Sequence, residues 1–217
     1  MSLKFQTKNQ AVYEALRKGI IAGKLKPGQK IIMSDVAKEL GLSDIPVREA
    51  IRRLESDGLV TFTPHLGAVV SKIDEHDFIE TYLIRIELES LATRLAVPHI
   101  KSEDILFLVN KNKEMAKALH KNQYEKIGAI NKDFHLRIYH AAPYSFLNQL
   151  IASLWERLER TQSVFAFVPE RAGASVLEHE KIIETLKKRD GKLSEKLMKE
   201  HKSRTMSVLG EFLGTDK

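Results

Sequence analysis

The chain has 217 residues, a formal net charge of +6 and no cysteine. A chain without cysteine forms no disulfide and offers no thiolate to a metal, which suits a reducing cytoplasm. No apolar run approaches the ~18 residues of a membrane-spanning helix, and the opening MSLKFQTKNQ lacks the apolar core of a secretory signal. A cytoplasmic protein with no membrane partner is therefore expected.

The charge is unevenly placed. Residues 1–73 hold 12 Lys/Arg against 7 Asp/Glu, whereas residues 74–217 hold 23 against 22. A small basic N-terminal third suits a polyanionic partner. The spacing of Val12, Leu16 and Ile20 predicts a helix over 9–23, with Gly23 at its end. A basic, turn-rich loop follows at Lys24–Lys30, whose Lys26 and Lys30 either reach phosphate or solvate the loop. Two short helices come next. Ser34 is placed to cap the first, ahead of Val36, Ala37 and Leu40, and Gly41 ends it. Ser43 is placed to cap the second, where Pro46 is tolerated in the first turn. Val47, Ala50, Ile51 and Leu54 recur at i, i+3, i+4 and i+7, so they form one apolar face. Arg48 and Arg52, one turn apart, point the other way, and Gly58 closes the helix. A helix buried on one side and basic on the other is what a DNA major groove accepts. Two short β-rich runs, Val60-Thr61-Phe62 and Ala68-Val69-Val70-Ser71, flank Thr63-Pro64-His65-Leu66-Gly67 and predict a hairpin. His65 and Thr63 at its tip can hydrogen-bond phosphate, or be ordinary loop residues, and Gly67 permits close approach.

This stretch resembles the winged helix-turn-helix of GntR-type bacterial transcriptional regulators. The resemblance is carried by Pro46-Val47-Arg48-Glu49-Ala50-Ile51-Arg52-Arg53-Leu54-Glu55-x-x-Gly58-Leu59-Val60, and by Gly23, Leu25, Pro27 and Gly28 upstream. It implies a DNA-binding set of Ser34, Ser43, Asp44, Ile45, Pro46, Arg48, Arg52, His65 and Gly67. Asp44-Ile45 stands where the family usually has Arg-Thr before the proline. Asp44 lies one turn before Arg48 and either orients that arginine or accepts a hydrogen bond from a cytosine amino group.

From residue 74 onward the periodicity is helical. Helices are expected over 75–97, from Ser102 through Leu119, over 123–142, from 145 into the 160s, over 170–189 and over 191–213. Phe165-Ala166-Phe167-Val168-Pro169 should break the fourth. In the first, Ile79, Leu83, Ile86, Leu88, Leu91, Ala92 and Leu95 supply the apolar positions. Six amphipathic helices with short connections imply a bundle. The fold class expected is therefore mostly α. A winged helix-turn-helix with a small β-hairpin wing spans 1–73, and an all-α helical bundle spans 74–217.

Three histidines fall where polar residues are uncommon. Asn131 and His135 are i, i+4 on the third helix of the bundle, beside the apolar row Ile127, Phe134 and Ile138. His179 is in register with Val176, Ile183 and Leu186, and His201 follows Leu197 by four. Burying several imidazoles is costly unless each has a partner, and one divalent cation would satisfy all three. Imidazole suits zinc, nickel, copper and related metals. Each histidine alone is more simply a core residue bonded to a neighbour. His140, five residues after His135, points elsewhere, and His76, His99 and His120, at helix ends or polar faces, are expected at the surface. Arg85, if inward, offers a planar fork to a carboxylate, or pairs with Glu89 one turn away.

The helical half resembles the FCD effector domain of the FadR subfamily, its six helices being closest to the VanR-like branch. That resemblance implies a metal set of Asn131, His135, His179 and His201, with Asn131 where an aspartate often stands. It also implies a divalent transition metal (zinc or nickel foremost), a small organic acid effector with Arg85 in its site, and a homodimer on a palindromic double-stranded DNA operator. Two other functions fit some of the residues. A metal-dependent hydrolase would use an open metal position, but there is no H-E-x-x-H and the basic N-terminal third would go unexplained. A purely structural metal would leave DNA binding unregulated.

Overall fold

The computed structural model describes residues 7–21, 24–63, 65–72, 75–158 and 168–214. Gly23, Pro64, the expected boundary at Ile73-Asp74 and the helix break expected at Phe165-Ala166-Phe167 lie outside the described residues. The chain divides into two compact units, Met1–Ile73 and Asp74–Lys217.

The first unit runs α1 (Lys8–Ile21), α2 (Met33–Leu40), α3 (Asp44–Ser56), β1 (Val60–Thr63) and β2 (Gly67–Val70). Its core joins Val12, Leu16 and Ile20 of α1 to Val47, Ala50, Ile51 and Leu54 of α3. Leu59, Val60, Ala68 and Val70 close it from the hairpin side, so the i, i+3, i+4 face expected of α3 is the buried one. Gly58 follows α3 at φ +69°, with its N–H bonded to Glu55 O and the Leu59 N–H to Leu54 O at 2.8 Å. Those two bonds satisfy carbonyls that the helix end would otherwise strand, in a left-handed conformation that glycine adopts without strain. The start of α2 differs from expectation. Ile32 occupies the capping position, Ser34 lies inside the first turn, and no side chain caps the helix. Ser43 does precede α3, yet its hydroxyl makes no cap bond either. β1 and β2 pair antiparallel, Val60 opposite Val70 and Thr63 opposite Gly67. The basic loop is more ordered than its turn residues suggest. Its Gly28–Ile31 end runs along β2, with Gly28 N bonded to Val70 O and Ile31 N to Ala68 O, both at 2.8 Å.

The second unit holds six helices among the described residues: α4 (Glu75–Ala96), α5 (Ser102–His120), α6 (Tyr124–His140), α7 (Ser145–Arg157), α8 (Pro169–Lys187) and α9 (Gly191–Gly214). Acidic residues open α5, where the Asp104 carboxylate accepts the Lys101 N–H at 2.7 Å and satisfies a donor the helix cannot. Helix α4 packs against α6, α7 and α9, and α8 against α5 and α9. Phe134, Ile138, Tyr139, Ile151, Trp155, Ile182 and Met198 fill the space between them.

The face of α4 that turns inward is the expected one only in part: Ile86 and Ala92 are buried, and Leu88 and Leu95 pack half-buried against the core. Phe78, Tyr82, Arg85, Ile86, Glu89, Ala92 and Thr93 are buried, while Ile79, Leu83 and Ile84 are exposed. Apolar residues surround this helix, so periodicity alone does not choose a face. Packing chose the face carrying an arginine and a glutamate, because each is the other's partner inside the bundle.

Candidate functional site

In the second unit three helices each bring one histidine to a common point. His135 of α6 and His179 of α8 are fully buried, and His201 of α9 is 2% exposed. Their potential ligand atoms all lie within 4.8 Å of one another. The Nε2 atoms of His135 and His201 are 3.2 Å apart. Phe134 stacks on His179 with centroids 3.9 Å apart, which fixes the ring plane.

The outer nitrogens of the three rings decide what the inner ones present. Asn112 of α5 donates its amide N–H to Val176 O at 3.0 Å, which turns its Oδ1 toward His179 Nδ1 at 3.2 Å. Tyr139 donates its hydroxyl to Glu89 at 2.6 Å, so its oxygen is left to accept from His135 Nδ1 at 3.3 Å. His201 Nδ1 lies 2.6 Å from the Glu178 carboxylate. Each Nδ1 therefore carries the proton, and each Nε2 carries a lone pair. Burial, ahead of neighbouring cations, holds His135 and His179 well below the usual imidazole range. Burial also lowers His201, to about 4, against the opposing Glu178 bond. All three rings are accordingly neutral near pH 7. Lone pairs converging in a dry interior repel one another unless a cation lies among them. His179 Nε2 and Asn131 Oδ1 are both buried and without a hydrogen-bond partner among the described residues. Those orphaned acceptors, with each Nδ1 held from behind, fit the donor set of a borderline transition metal.

Beside this cluster lies a second polar group, of which the sequence reading offered only the Arg85–Glu89 pair. Arg85 Nε meets Glu89 Oε1 at 2.6 Å, and Lys202 Nζ meets Glu89 Oε2 at 2.7 Å. Trp155 lies under both cations, 4.0 Å from the guanidinium and 4.6 Å from the ammonium. Burial would raise the Glu89 carboxyl, but Arg85 and Lys202 outweigh it and hold it at about 2. For Lys202 burial prevails over Glu89, and its pKa falls to about 8. Arg85 is thus inward, as the organic-acid expectation requires, and it also makes the internal pair with Glu89. Arg171, 4% exposed, bonds Glu178 at 2.5 Å, and Arg204 bonds the same carboxylate at 2.7 Å. Lys202, Tyr139, Asn112 and Arg171 were missed. A signal existed for Lys202: Ser194, Met198, His201, Lys202 and Thr205 form one helical stripe of buried positions. His76, His99 and His120 are exposed, as expected, and so is His140.

In the first unit, Ser34, Ser43, Asp44, Ile45, Arg48 and Arg52 are exposed, Pro46 is half-buried, and Ile45 is 70% exposed. Arg48 and Arg52 have no ion-pair or hydrogen-bond partner among the described residues, and Asp44 does not pair with Arg48. Arg53 is different: it lies 4.0 Å over the Tyr13 ring and bonds Gln10. His65 is exposed at the hairpin tip at φ +64°, and Gly67 follows at φ +82°. The glycine answers to that backbone conformation, since a Cβ there would meet no atom within 4 Å.

Comparison with known proteins covers both units. Residues 8–70 match the family "Bacterial regulatory proteins, gntR family", and residues 80–204 match the FCD domain. The HTH-type transcriptional regulator McbR of Escherichia coli K12 is 33% identical over 158 residues, 73% of this chain and 69% of the relative. The uncharacterized HTH-type regulator YdhC of Bacillus subtilis 168 is 31% identical over 179 residues, 82% and 80% of the two chains. The solved structure of E. coli McbR/YncC superposes with a TM-score of 0.72 at 26% identity, covering 95% of this chain and 98% of that one. Lar, described as controlling expression of the Listeria monocytogenes agr system, shares the fold with a TM-score of 0.62 at 21% identity, over 95% and 98% of the chains.

Proposed function

Because the chain belongs to the GntR family of DNA-binding bacterial transcriptional regulators and carries its FCD domain, we propose that it is a cytoplasmic regulator whose operator affinity is set by a small organic acid held at a metal centre. Its family and its relatives are transcriptional regulators rather than enzymes. The observation that carries the proposal is the convergence of three buried, neutral imidazoles whose potential ligand atoms lie within 4.8 Å of one another, each ring with its Nδ1 at a hydrogen-bond partner. His135, His179 and His201 would hold a divalent zinc or nickel ion, with Asn131 as the oxygen ligand. When bound, the metal supplies a positive centre for a carboxylate. Arg85 extends the cationic wall toward that acid.

On the DNA side, Arg48 and Arg52 are the exposed cations of α3 with no partner among the described residues, which suits base or phosphate contact. The Ser34 and Ser43 hydroxyls are unused in capping and can donate to phosphate, as can His65 beside Gly67. Asp44, Ile45 and Pro46 form the leading edge of α3 and would set which bases it accepts. A palindromic operator calls for two copies of this helix. Exposed Ile79 and Leu83 on α4, with Phe146 and Leu150 on the neighbouring α7, support a second copy covering that face.

The test joins both ends. Operator binding is measured by anisotropy on DNA selected from a random pool, with zinc or nickel present and a panel of mono- and dicarboxylates added. A change in affinity with at least one acid, lost in His201→Ala together with the metal in elemental analysis, is expected. An unchanged affinity across the panel, or full metal occupancy in His201→Ala, would refute the proposal.

A further inference from the structure

The outward face of α3 is cationic along its length but apolar at its leading end. Ile45, Arg48 and Arg52 are spaced i, i+3 and i+7, so they line one face, opposite the buried Val47, Ala50, Ile51 and Leu54. Ile45 is 70% exposed, more than any other large apolar side chain described in the first unit, with Leu66 at the hairpin tip next at 52%. It belongs neither to the core of that unit nor to the side chains packed against it. Stability gives no reason for its presence. A β-branched residue is a poorer helix former than alanine, and a side chain this exposed removes little apolar surface from water. Glu49, the acid on the same face, is held to α1, where its Oε2 accepts from the Asn9 amide at 2.8 Å. The first turn of α3 therefore offers a base edge an aliphatic surface at Ile45, preceded by the exposed carboxylate of Asp44.

In the major groove a base pair shows one apolar group, the C5-methyl of thymine. The other edge groups there are donors or acceptors, and an aliphatic side chain pressed on one removes its water and returns no hydrogen bond. Guanine is the worst match beside this turn, because its N7 and O6 are both acceptors and the Asp44 carboxylate is acceptor-only too. We infer that Ile45 makes the first turn of α3 select a 5-methylpyrimidine, thymine in unmodified DNA, at one base pair of each operator half-site. This rests on α3 entering a major groove as proposed above. Arg48 and Arg52 supply charge and hydrogen bonds along the same face, but neither recognises a methyl group. Since Ile45 answers to the methyl and not to the pairing edge, 5-methylcytosine presents it with the same group that thymine does.

The experiment begins with operators selected from a random pool by the full-length protein. In the best site each thymine is replaced in turn by deoxyuridine, which lacks only the methyl, and affinities of native protein and Ile45→Ala are measured by anisotropy. At one thymine of each half-site, demethylation should weaken native binding about fourfold, equivalent to the ~0.8 kcal/mol of one buried methyl. Cytosine at that position should bind more weakly than thymine and recover by a similar factor on 5-methylation. In Ile45→Ala, loss of that one methyl should cost nothing, the other thymines should respond as in the native protein, and urea unfolding should be unchanged. Demethylation without effect at every thymine, or a penalty that persists in Ile45→Ala, would overturn the role given to Ile45 while leaving DNA binding by α3 standing. A native protein that enriches no sequence from the pool would overturn the DNA-binding role, and the methyl selection with it.

Discussion

Glu89 and Lys202 form one ion pair, yet their removal should have opposite consequences. Glu89 is buried among Arg85, Lys202 and Tyr139, and its carboxyl is held at about 2 against a usual 4.5. At about 1.4 kcal/mol per tenfold change in proton affinity, that depression corresponds to about 3 kcal/mol of stability. The contribution is present above pH 4.5 and is lost as pH falls through about 2. Glu89→Gln keeps the shape but leaves two cations sharing an amide, which should destabilise the helical unit by ~3–5 kcal/mol at pH 7. Lys202 is the reverse case. Burial lowers its pKa from 10.5 to about 8, so its charged form is held at a net cost that Glu89 only partly offsets. In Lys202→Met the apolar stem is retained, and Glu89 keeps its bonds to Arg85 and Tyr139. Stability should be unchanged or rise by ~1–3 kcal/mol. The chain has a single tryptophan, and Trp155 lies against both cations, so urea unfolding followed by its fluorescence, with a chelator present, reports this unit directly. The difference between native protein and Glu89→Gln should narrow as pH is lowered below 4.5. A stable Glu89→Gln, or a Lys202→Met that loses as much as Glu89→Gln, would refute this account of the buried charges.

Two further outcomes follow from the same coordinates. Arg48→Ala should weaken operator binding by ~1–3 kcal/mol without altering unfolding, whereas Arg53→Ala should lower the stability of the first unit by ~0.5–1 kcal/mol through the lost Tyr13 and Gln10 contacts. Anisotropy and urea titration on the two variants check this, and exchanged effects would mean the two arginines have exchanged roles. Asn112→Ala should weaken metal binding ~10–100-fold by releasing the His179 tautomer. An unchanged chelator titration would show that Asn112 does not orient that ring.

The first unit was legible because its residues obey single rules. Val47, Ala50, Ile51 and Leu54 sit on one stripe, and the only large apolar side chain of α3 off it is Ile45 in the first turn, so periodicity had one answer, and Gly58 can end α3 in a way few other residues can. Ser34 was misplaced as a cap because any serine before an apolar run looks like one. The chain instead enters α2 through Ile32, whose backbone continues from the Gly28–Ile31 segment lying along β2. That pairing is long-range, and no local pattern announces it. Arg53 likewise could not be told from Arg48 and Arg52 by residue type. Its partner Tyr13 lies on another helix, and the contact exists only once α1 and α3 have packed.

In the helical unit the histidines were legible for the reason that Lys202 was not. A histidine in an apolar stripe is an anomaly with a short list of remedies, and three of them suggested a shared one. Arg85, Glu89 and Lys202 are charged residues, which pattern rules assign to solvent, and the exposed Ile79 and Leu83 of α4 offered a competing inward face. Only the packing of α4 against α6 and α9 shows that each charge removes the penalty on another. It also shows what that choice of face achieves. Arg85 bonds Glu89 at 2.6 Å, Glu89 accepts from Tyr139 at 2.6 Å, and the Tyr139 oxygen lies 3.3 Å from His135 Nδ1. A carboxylate drawing Arg85 away from Glu89 would therefore alter the acceptor of Tyr139 and, through it, the support behind a histidine of the proposed metal centre. Had the Ile79 and Leu83 face of α4 turned inward, Arg85 and Glu89 would lie outside the bundle and no such connection could form.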